Sequence, residues 1–236
     1  MNSTDSWKLL RAGKADTALN YFKDSHTKEP TPSRIMELGV AYLFVQRYEA
    51  AWSHFSAAIK SYLRSMSSFY GMAGTSKWCL GEFDQAVGTW RDGLRAHYAD
   101  TAGLGIQMPL LLLMASTLKP AIFDETAAKK ILKTKAEDSR IRTWRGPLAS
   151  WILGDISDSE LRDNCSGDNE PDTQNRHWIV EFYFGIRQKA RDDQAEFLET
   201  MRRLTDISRQ EWSNERFFLS RMWSEEFFIA RHEAQS

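Results

Sequence analysis

The sequence has few cysteines and no long uninterrupted apolar run. Its 236 residues include only two cysteines, Cys79 and Cys165, which have neither the spacing of a zinc site nor the number needed for a disulfide framework. The most apolar stretch, residues 104–118, is interrupted by Gln107 and Pro109 and is shorter than the ~20 residues of a membrane-spanning helix. The first residues also lack the apolar segment of a secretory signal. We therefore expect a cytoplasmic protein with no membrane partner.

An excess of charge of one sign is also missing. The chain carries 31 basic and 32 acidic residues, for a formal net charge of −1. This balance gives no electrostatic reason to expect a nucleic acid or an anionic membrane as the main partner. The motifs GxSxG, GxxxxGK[ST] and HExxH do not occur, and none of the five histidines pairs with a nearby cysteine. The sequence thus predicts no catalytic residue, no metal site and no cofactor, and we expect that the chain is not an enzyme.

What the sequence does contain is a helical repeat. In the central unit the pattern is carried by Leu38, Gly39, Tyr42, Tyr48, Ala51, Phe55 and Ala58. Thirty-five residues later it is carried by Gly74, Gly81, Phe83, Ala86, Trp90 and Gly93. Thirty-three residues before the central unit it is carried by Gly13, Ala18 and Phe22, and Pro30 closes that unit. Small and aromatic residues at this spacing resemble the tetratricopeptide repeat (TPR) family over residues 7–96.

The resemblance implies an all-α fold, a TPR-like α-solenoid of antiparallel helix pairs with a C-terminal capping helix. We predict one elongated domain, in which residues 1–137 form three TPR-like repeats and a continuing helix pair. Residues 138–236 are predicted to form a helical part with a degenerate repeat, over residues 176–204, and the capping helix. The turn of that degenerate repeat is interpreted as departing from the consensus spacing. The alternative is an ordinary helical bundle.

Local signals place several helix ends. Pro109 is predicted in the first turn of a buried helix, where its missing N–H has no effect. Asp124 is predicted as an N-cap. Ser157 and Glu160 have the spacing of a capping box. The polar segment 165–175 is interpreted as a loop and a flexible joint.

Aromatic residues are concentrated near the C-terminus. The six are Trp212, Phe217, Phe218, Trp223, Phe227 and Phe228. Because a repeat array needs a terminal helix to cover its last open face, we interpret this segment as the cap.

The resemblance also nominates a binding surface, since the first helix of each TPR pair lines the concave groove. The residues predicted to bind a partner there are Trp7, Met36, Val40, Leu43, Phe44, Thr75 and Trp78. Their apolar and aromatic character is typical of interface hot spots. Two alternatives stay open: the C-terminal helix of the chain itself covers Leu43 and Phe44, or an acidic patch within residues 155–172 contacts a basic partner.

One known use of the TPR fold is not expected. Family members that grip acidic chaperone C-termini need Lys, Asn and Arg at fixed groove positions. The matching positions here hold Ser3, Trp7, Glu37, Ser68 and Met72. The sequence therefore disfavours a cochaperone role.

Over its whole length the chain is similar to small bacterial TPR proteins encoded beside polymorphic or contact-dependent toxins. The similarity rests on the three repeats, a YxDxxG…PLLL segment, a WxxPLxxWxxGxIS segment at residues 144–157 and a final helix pair. It implies an immunity protein that binds and neutralises a cognate toxin domain. The alternative function is a scaffold or assembly adaptor that holds a peptide or a subunit of a larger complex.

Overall fold

The computed structural model describes residues 3–63, 66–96, 106–137, 144–167, 169–208, 222 and 224–235. Within these ranges the regular structure is helical and includes no β-strand, which confirms the all-α prediction. The helices are α1 (Ser3–Arg11), α2 (Ala15–Lys28), α3 (Pro32–Phe44), α4 (Tyr48–Ala58), α5 (Ser67–Cys79), α6 (Phe83–Gly93), α7 (Gln107–Leu118), α8 (Glu125–Ala136), α9 (Arg145–Leu153), α10 (Asp158–Asp163), α11 (Glu170–Ala190), α12 (Gln194–Thr205) and α13 (Glu225–Glu233). A π-helical segment, Ile59–Leu63, continues α4.

Helices that follow one another in the sequence also pack against one another. Each helix from α1 to α9 contacts the next, and α11 contacts α12. The later helices also return to the earlier ones, because α11 packs on α7 and α13 packs on α5. One cluster of buried apolar side chains consequently extends from Trp7 to Ala230.

Four of the helical hairpins have the same turn. Gly13, Gln46, Gly81 and Asp192 all have positive φ, between 60° and 76°. In each turn the N–H of this residue donates to the carbonyl three residues earlier, and the next N–H donates to the carbonyl five residues earlier. This is the Schellman pattern of helix C-termini. The following helix begins two residues after the positive-φ residue in all four hairpins.

Small residues bring paired helices close together at a constant spacing. A Cβ built on Gly39 would lie 2.2 Å from Cζ of Phe55, and one on Gly74 would lie 2.3 Å from Nε1 of Trp90. The same relation recurs in α11, where a Cβ on Gly185 would lie 2.5 Å from Cε of Met201. The turn of the fourth unit therefore keeps the spacing of the second and third, and the interpretation that it departs from them is wrong.

Most of the predicted helix ends are confirmed. Pro109 lies in the first turn of α7, whose leucines are buried. Asp124 caps α8 by accepting a hydrogen bond from the Ala127 N–H at 2.7 Å. Ser157 and Glu160 form the capping box of α10.

The predicted loop at residues 165–175 is only half correct. Helix α11 begins at Glu170, so the second half of this segment is helical. Asn169 provides the reason, because its side chain accepts a hydrogen bond from the Asp172 N–H and caps the helix. Pro171 follows in the first turn, where proline is favoured.

None of the helices in the described ranges is both long and apolar enough to span a bilayer.

Of the six C-terminal aromatic residues, Phe227 and Phe228 are buried in α13. The other four lie outside the described residues.

Candidate protein-binding site

The seven residues predicted to bind a partner lie together in the interior. Trp7 is on α1 and contacts Phe22 at 4.9 Å between ring centroids, and the others are on α3 and α5. All seven are at most 7% exposed, and Val40, Leu43, Thr75 and Trp78 are fully buried. The nominated side chains therefore belong to the interior and not to the surface.

Helix α13 lies over this region. The Trp78 Nε1 donates a hydrogen bond to the Glu233 carboxylate at 2.9 Å. Arg231 donates to the carbonyl of Phe44 at 2.7 Å, and its guanidinium lies 5.5 Å from the Phe44 ring centre. These contacts agree with the alternative in which the C-terminal helix covers Phe44. As partner-binding residues the seven stay a prediction, since all of them are buried and a partner would reach Phe44 and Trp78 only after α13 had moved away.

A buried polar network fixes the other end of α13. Glu226 is fully buried, and it accepts hydrogen bonds from Arg145 at 2.8 Å and Gln107 at 3.2 Å. Ser224 also donates to this carboxylate. Burial raises the pKa of Glu226, but the charge of Arg145 and these hydrogen bonds outweigh it and hold the pKa below its ordinary value. Helices α7 and α9 therefore hold an ionised carboxylate of α13 in one register.

An open cleft remains between α7, α8, α9 and α11, and we call it the α8–α11 cleft. It has a volume of about 200 Å³. Its floor and walls are mainly apolar, formed by Leu113, Trp151, Ile152, Tyr183 and Ile186. Glu125 and Lys129 of α8 lie on one rim, and Arg187 and Ala190 of α11 lie on the other. The cleft is the concave, mostly apolar kind of surface that accepts a side chain of a partner.

Arg187 is held rigidly at the edge of this cleft. Its two terminal nitrogens donate to the two Asp158 oxygens, both at 2.7 Å. The guanidinium also lies 4.6 Å from the Trp151 ring centre and 4.8 Å from that of Phe184. The hydrogen bonds from Arg187, with one from Trp151, keep the pKa of Asp158 well below its ordinary value. This pair therefore stays charged across the physiological pH range.

The histidines and cysteines form no ligand set in the described part of the chain. His26 and His54 have ring centroids 5.0 Å apart, and Nε2 of His54 donates to the Ile35 carbonyl at 2.9 Å. Cys79 and Cys165 are buried, free thiols. No group of three or more His, Cys, Asp or Glu side chains among the described residues is arranged to hold a metal ion.

The buried Arg145–Glu226 pair and the α8–α11 cleft were not predicted from the sequence. Arg145 and Glu226 are 81 residues apart, and nothing in either local segment indicates the other. The cleft is built from four helices whose lining residues belong to different repeats and segments. The basic residues of α8, however, are visible in the sequence as an amphipathic helix with lysines on its polar side.

Comparison with known proteins does not assign the chain to a family. No family model matches the chain, and no curated protein is similar to it at a significant level.

Proposed function

We propose that this chain is a non-enzymatic, TPR-like protein that acts by stoichiometric binding to another protein in the cytoplasm. Its proposed partner is a bacterial toxin domain, and its role is that of an immunity protein. The observation that supports this most is the hairpin geometry shared by four units, with positive φ at Gly13, Gln46, Gly81 and Asp192. Stacked helical hairpins of this kind present extended surfaces for protein binding.

The spacing of close contacts gives independent support to the TPR-like interpretation. In three units a glycine of the first helix faces a large side chain sixteen residues later, as Gly39 faces Phe55. The same spacing for Gly74 and Gly185 means that one packing solution is used repeatedly. Repetition of a single supersecondary unit is the defining property of such arrays.

Because the predicted groove residues are buried, substituting them would change the stability of the fold as well as any binding. Replacing Trp78 with Ala would remove a fully buried ring and the hydrogen bond to Glu233. A truncation of this size typically costs about 3–5 kcal/mol of stability. The effect of Trp78→Ala on a complex would therefore be inseparable from unfolding, so surface variants are needed instead.

Co-expression provides the direct test of the immunity role. A candidate toxin from an adjacent gene is expressed in cells with and without the chain, and an inactivated form of it serves as control. We expect survival only when the chain is present, and a complex that survives gel filtration. Equal killing with and without the chain, and no complex, would refute the immunity role and favour the adaptor alternative.

A further inference from the structure

We propose that the α8–α11 cleft is the contact site for the protein partner, and that it accepts a large apolar side chain flanked by carboxylates. This inference rests on the proposed function, because it assumes that the chain binds a protein. It differs from the binding surface that the TPR resemblance implies, whose residues are buried. The size of the cleft, the residues that line it and its charge each support this proposal.

The size of the cleft favours a side chain over a cofactor. Its volume is about 200 Å³, whereas sites for drug-sized ligands and cofactors span roughly 300–1,000 Å³. A space of this size suits one large apolar side chain or two smaller ones.

The floor of the cleft is suited to an apolar anchor. Leu113, Tyr183 and Ile186 are each at most 7% exposed, so the cleft is a recess in a packed surface and does not require the core to open. Apolar anchors that fill such recesses contribute most of the binding energy of many interfaces.

Basic side chains outnumber acidic ones along the cleft, whose lining includes Lys129 and Arg187 but also Glu125. Helix α8 carries four lysines against one acid, Glu125; the lysines are Lys129, Lys130, Lys133 and Lys135. Lys129 and Lys133 are one helical turn apart, so they project from the same face, and Lys129 lines the cleft. The opposite rim has Arg187 and, one turn later, the exposed Arg191 at the end of α11.

Part of this positive charge is available to a partner. Glu125 pairs with Lys129 at 2.7 Å, but both side chains are about half exposed, and such surface pairs are weak. Lys133 and Arg191 form no ion pair within the described ranges. A partner carboxylate would therefore gain cations without first breaking a strong interaction, and electrostatic complementarity favours an acidic segment.

Arg187 and Trp151 make the recess rigid. Because the guanidinium is already fixed by Asp158 and by the ring of Trp151, binding would immobilise few additional side chains, which lowers the entropic cost of association. Arginine and tryptophan are also among the residues most enriched in hot spots.

Selection of random peptides tests this site without knowledge of the toxin. Short random peptides displayed on phage are selected on the immobilised full-length protein, and the affinities of the enriched peptides are measured by fluorescence polarisation. We expect the enriched sequences to combine a large apolar residue with Asp or Glu. No enrichment, or enriched sequences without acidic residues, would overturn the proposal.

Three variants locate the binding. Lys129→Glu/Lys133→Glu reverses the charge of one rim, and Ala190→Trp fills the mouth of the cleft. Lys14→Glu/Lys28→Glu is the control, with the same charge change at exposed lysines at the two ends of α2. Thermal melting checks that every variant is folded.

The expected pattern is specific. Affinity should fall at least about tenfold in both cleft variants, the effect of losing one hot-spot contact, and should be nearly unchanged in the control. Equal affinity for all variants would refute the cleft as the site, as would tighter binding of a mixed-sequence single-stranded DNA that is lost in the cleft variants. If the toxin is neutralised by the wild type and equally by both cleft variants, the cleft proposal fails while the immunity role stands.

Discussion

At the scale of single residues, the distance between paired helices depends on where side chains are absent. Gly74 lies against the fully buried Trp90, whose Nε1 donates to the Gly71 carbonyl at 3.1 Å. Gly88, in contrast, is exposed on α6 and has nothing within 4 Å of the position of a Cβ. The two glycines are thus in similar helices but in opposite environments.

Alanine substitutions should separate these environments. Gly74→Ala should lower the free energy of unfolding by about 1–3 kcal/mol, because the added methyl forces Trp90 to move. Gly88→Ala should raise it by about 0.5–1 kcal/mol, since alanine is the better helix former and no contact changes. Urea denaturation measures both, and changes of the same sign would contradict the packing described here.

His54 should make the chain sensitive to mild acid. Burial lowers the pKa of His54 below its ordinary value of 6.5, and the charge of His26 lowers it further, although the hydrogen bond to Ile35 acts in the opposite direction. Because the unfolded chain takes up this proton more readily, the folded state loses stability as the pH falls from about 6.5 towards the lower pKa of the folded state.

The variant His54→Gln keeps a donor for the Ile35 carbonyl and cannot titrate. We expect its unfolding free energy to fall less than that of the wild type between about pH 7 and pH 5. His177→Gln, at an exposed position, is the matched control and should keep the wild-type slope. Identical slopes for the wild type and His54→Gln would show that this histidine is not responsible.

At the scale of secondary-structure elements, α13 is held by charge as well as by apolar contacts. Its Phe227, Phe228 and Ile229 are at most 2% exposed. Its Glu226 carboxylate has Arg145 of α9 as its cationic partner in the described part of the chain. A buried carboxylate that loses such a partner is strongly destabilising.

Removing one partner should therefore cost more than removing both. Arg145→Met should lower stability by about 3–5 kcal/mol, whereas Arg145→Met combined with Glu226→Met should recover much of the loss. Chemical denaturation of the two single variants and the double variant gives the coupling energy. A double variant with the summed loss of the single variants would show that the two side chains act independently.

Deletion tests whether α13 belongs to the core. Removing residues 213–236 should expose apolar surface on α5 and α12, which α13 contacts, and the product should aggregate or partly unfold. Removing residues 235–236 alone should have no such effect. If the long deletion stayed soluble, monomeric and equally stable, α13 would be a separable element that is free to bind a partner.

The features that could be predicted from the sequence are those whose interacting residues lie close together in the chain or recur at a regular spacing. The helix caps at Asp124 and Ser157 involve residues three positions apart, so the local sequence identifies them. The register of the first three units was visible because glycine, alanine and aromatic residues recur at nearly constant spacing. The register of the fourth was missed, because Gln194 and Phe197 stand where the second and third units have an aromatic residue and alanine.

The candidate site was less predictable than the fold. The resemblance nominates Val40, Leu43 and Trp78 as residues of an open groove, whereas the structure buries all three. Periodicity cannot show that α13 lies against Trp78. The contact between Trp78 and Glu233 spans 155 residues, and the α8–α11 cleft combines four helices. Contacts of this range depend on the path of the whole chain.

At the scale of the whole molecule, the proposed function is inhibition of a toxin by binding it in a fixed ratio. A binding protein of this kind is consumed as it acts, whereas an enzyme that modified the toxin would act repeatedly. Within the described ranges the surface offers a cleft with an apolar floor and more basic than acidic residues at its edges, and the buried Arg145–Glu226 pair helps to hold α13 in place.

The most direct measurement is a titration of toxin activity with the purified chain, at toxin concentrations well above the dissociation constant. The account predicts that activity falls linearly and reaches zero at a fixed stoichiometric ratio, with no change in that ratio on longer incubation. Loss of activity at far smaller amounts of the chain, increasing with time, would indicate catalysis, and no loss at any ratio would indicate that the chain does not bind this toxin. Either result would contradict the central claim.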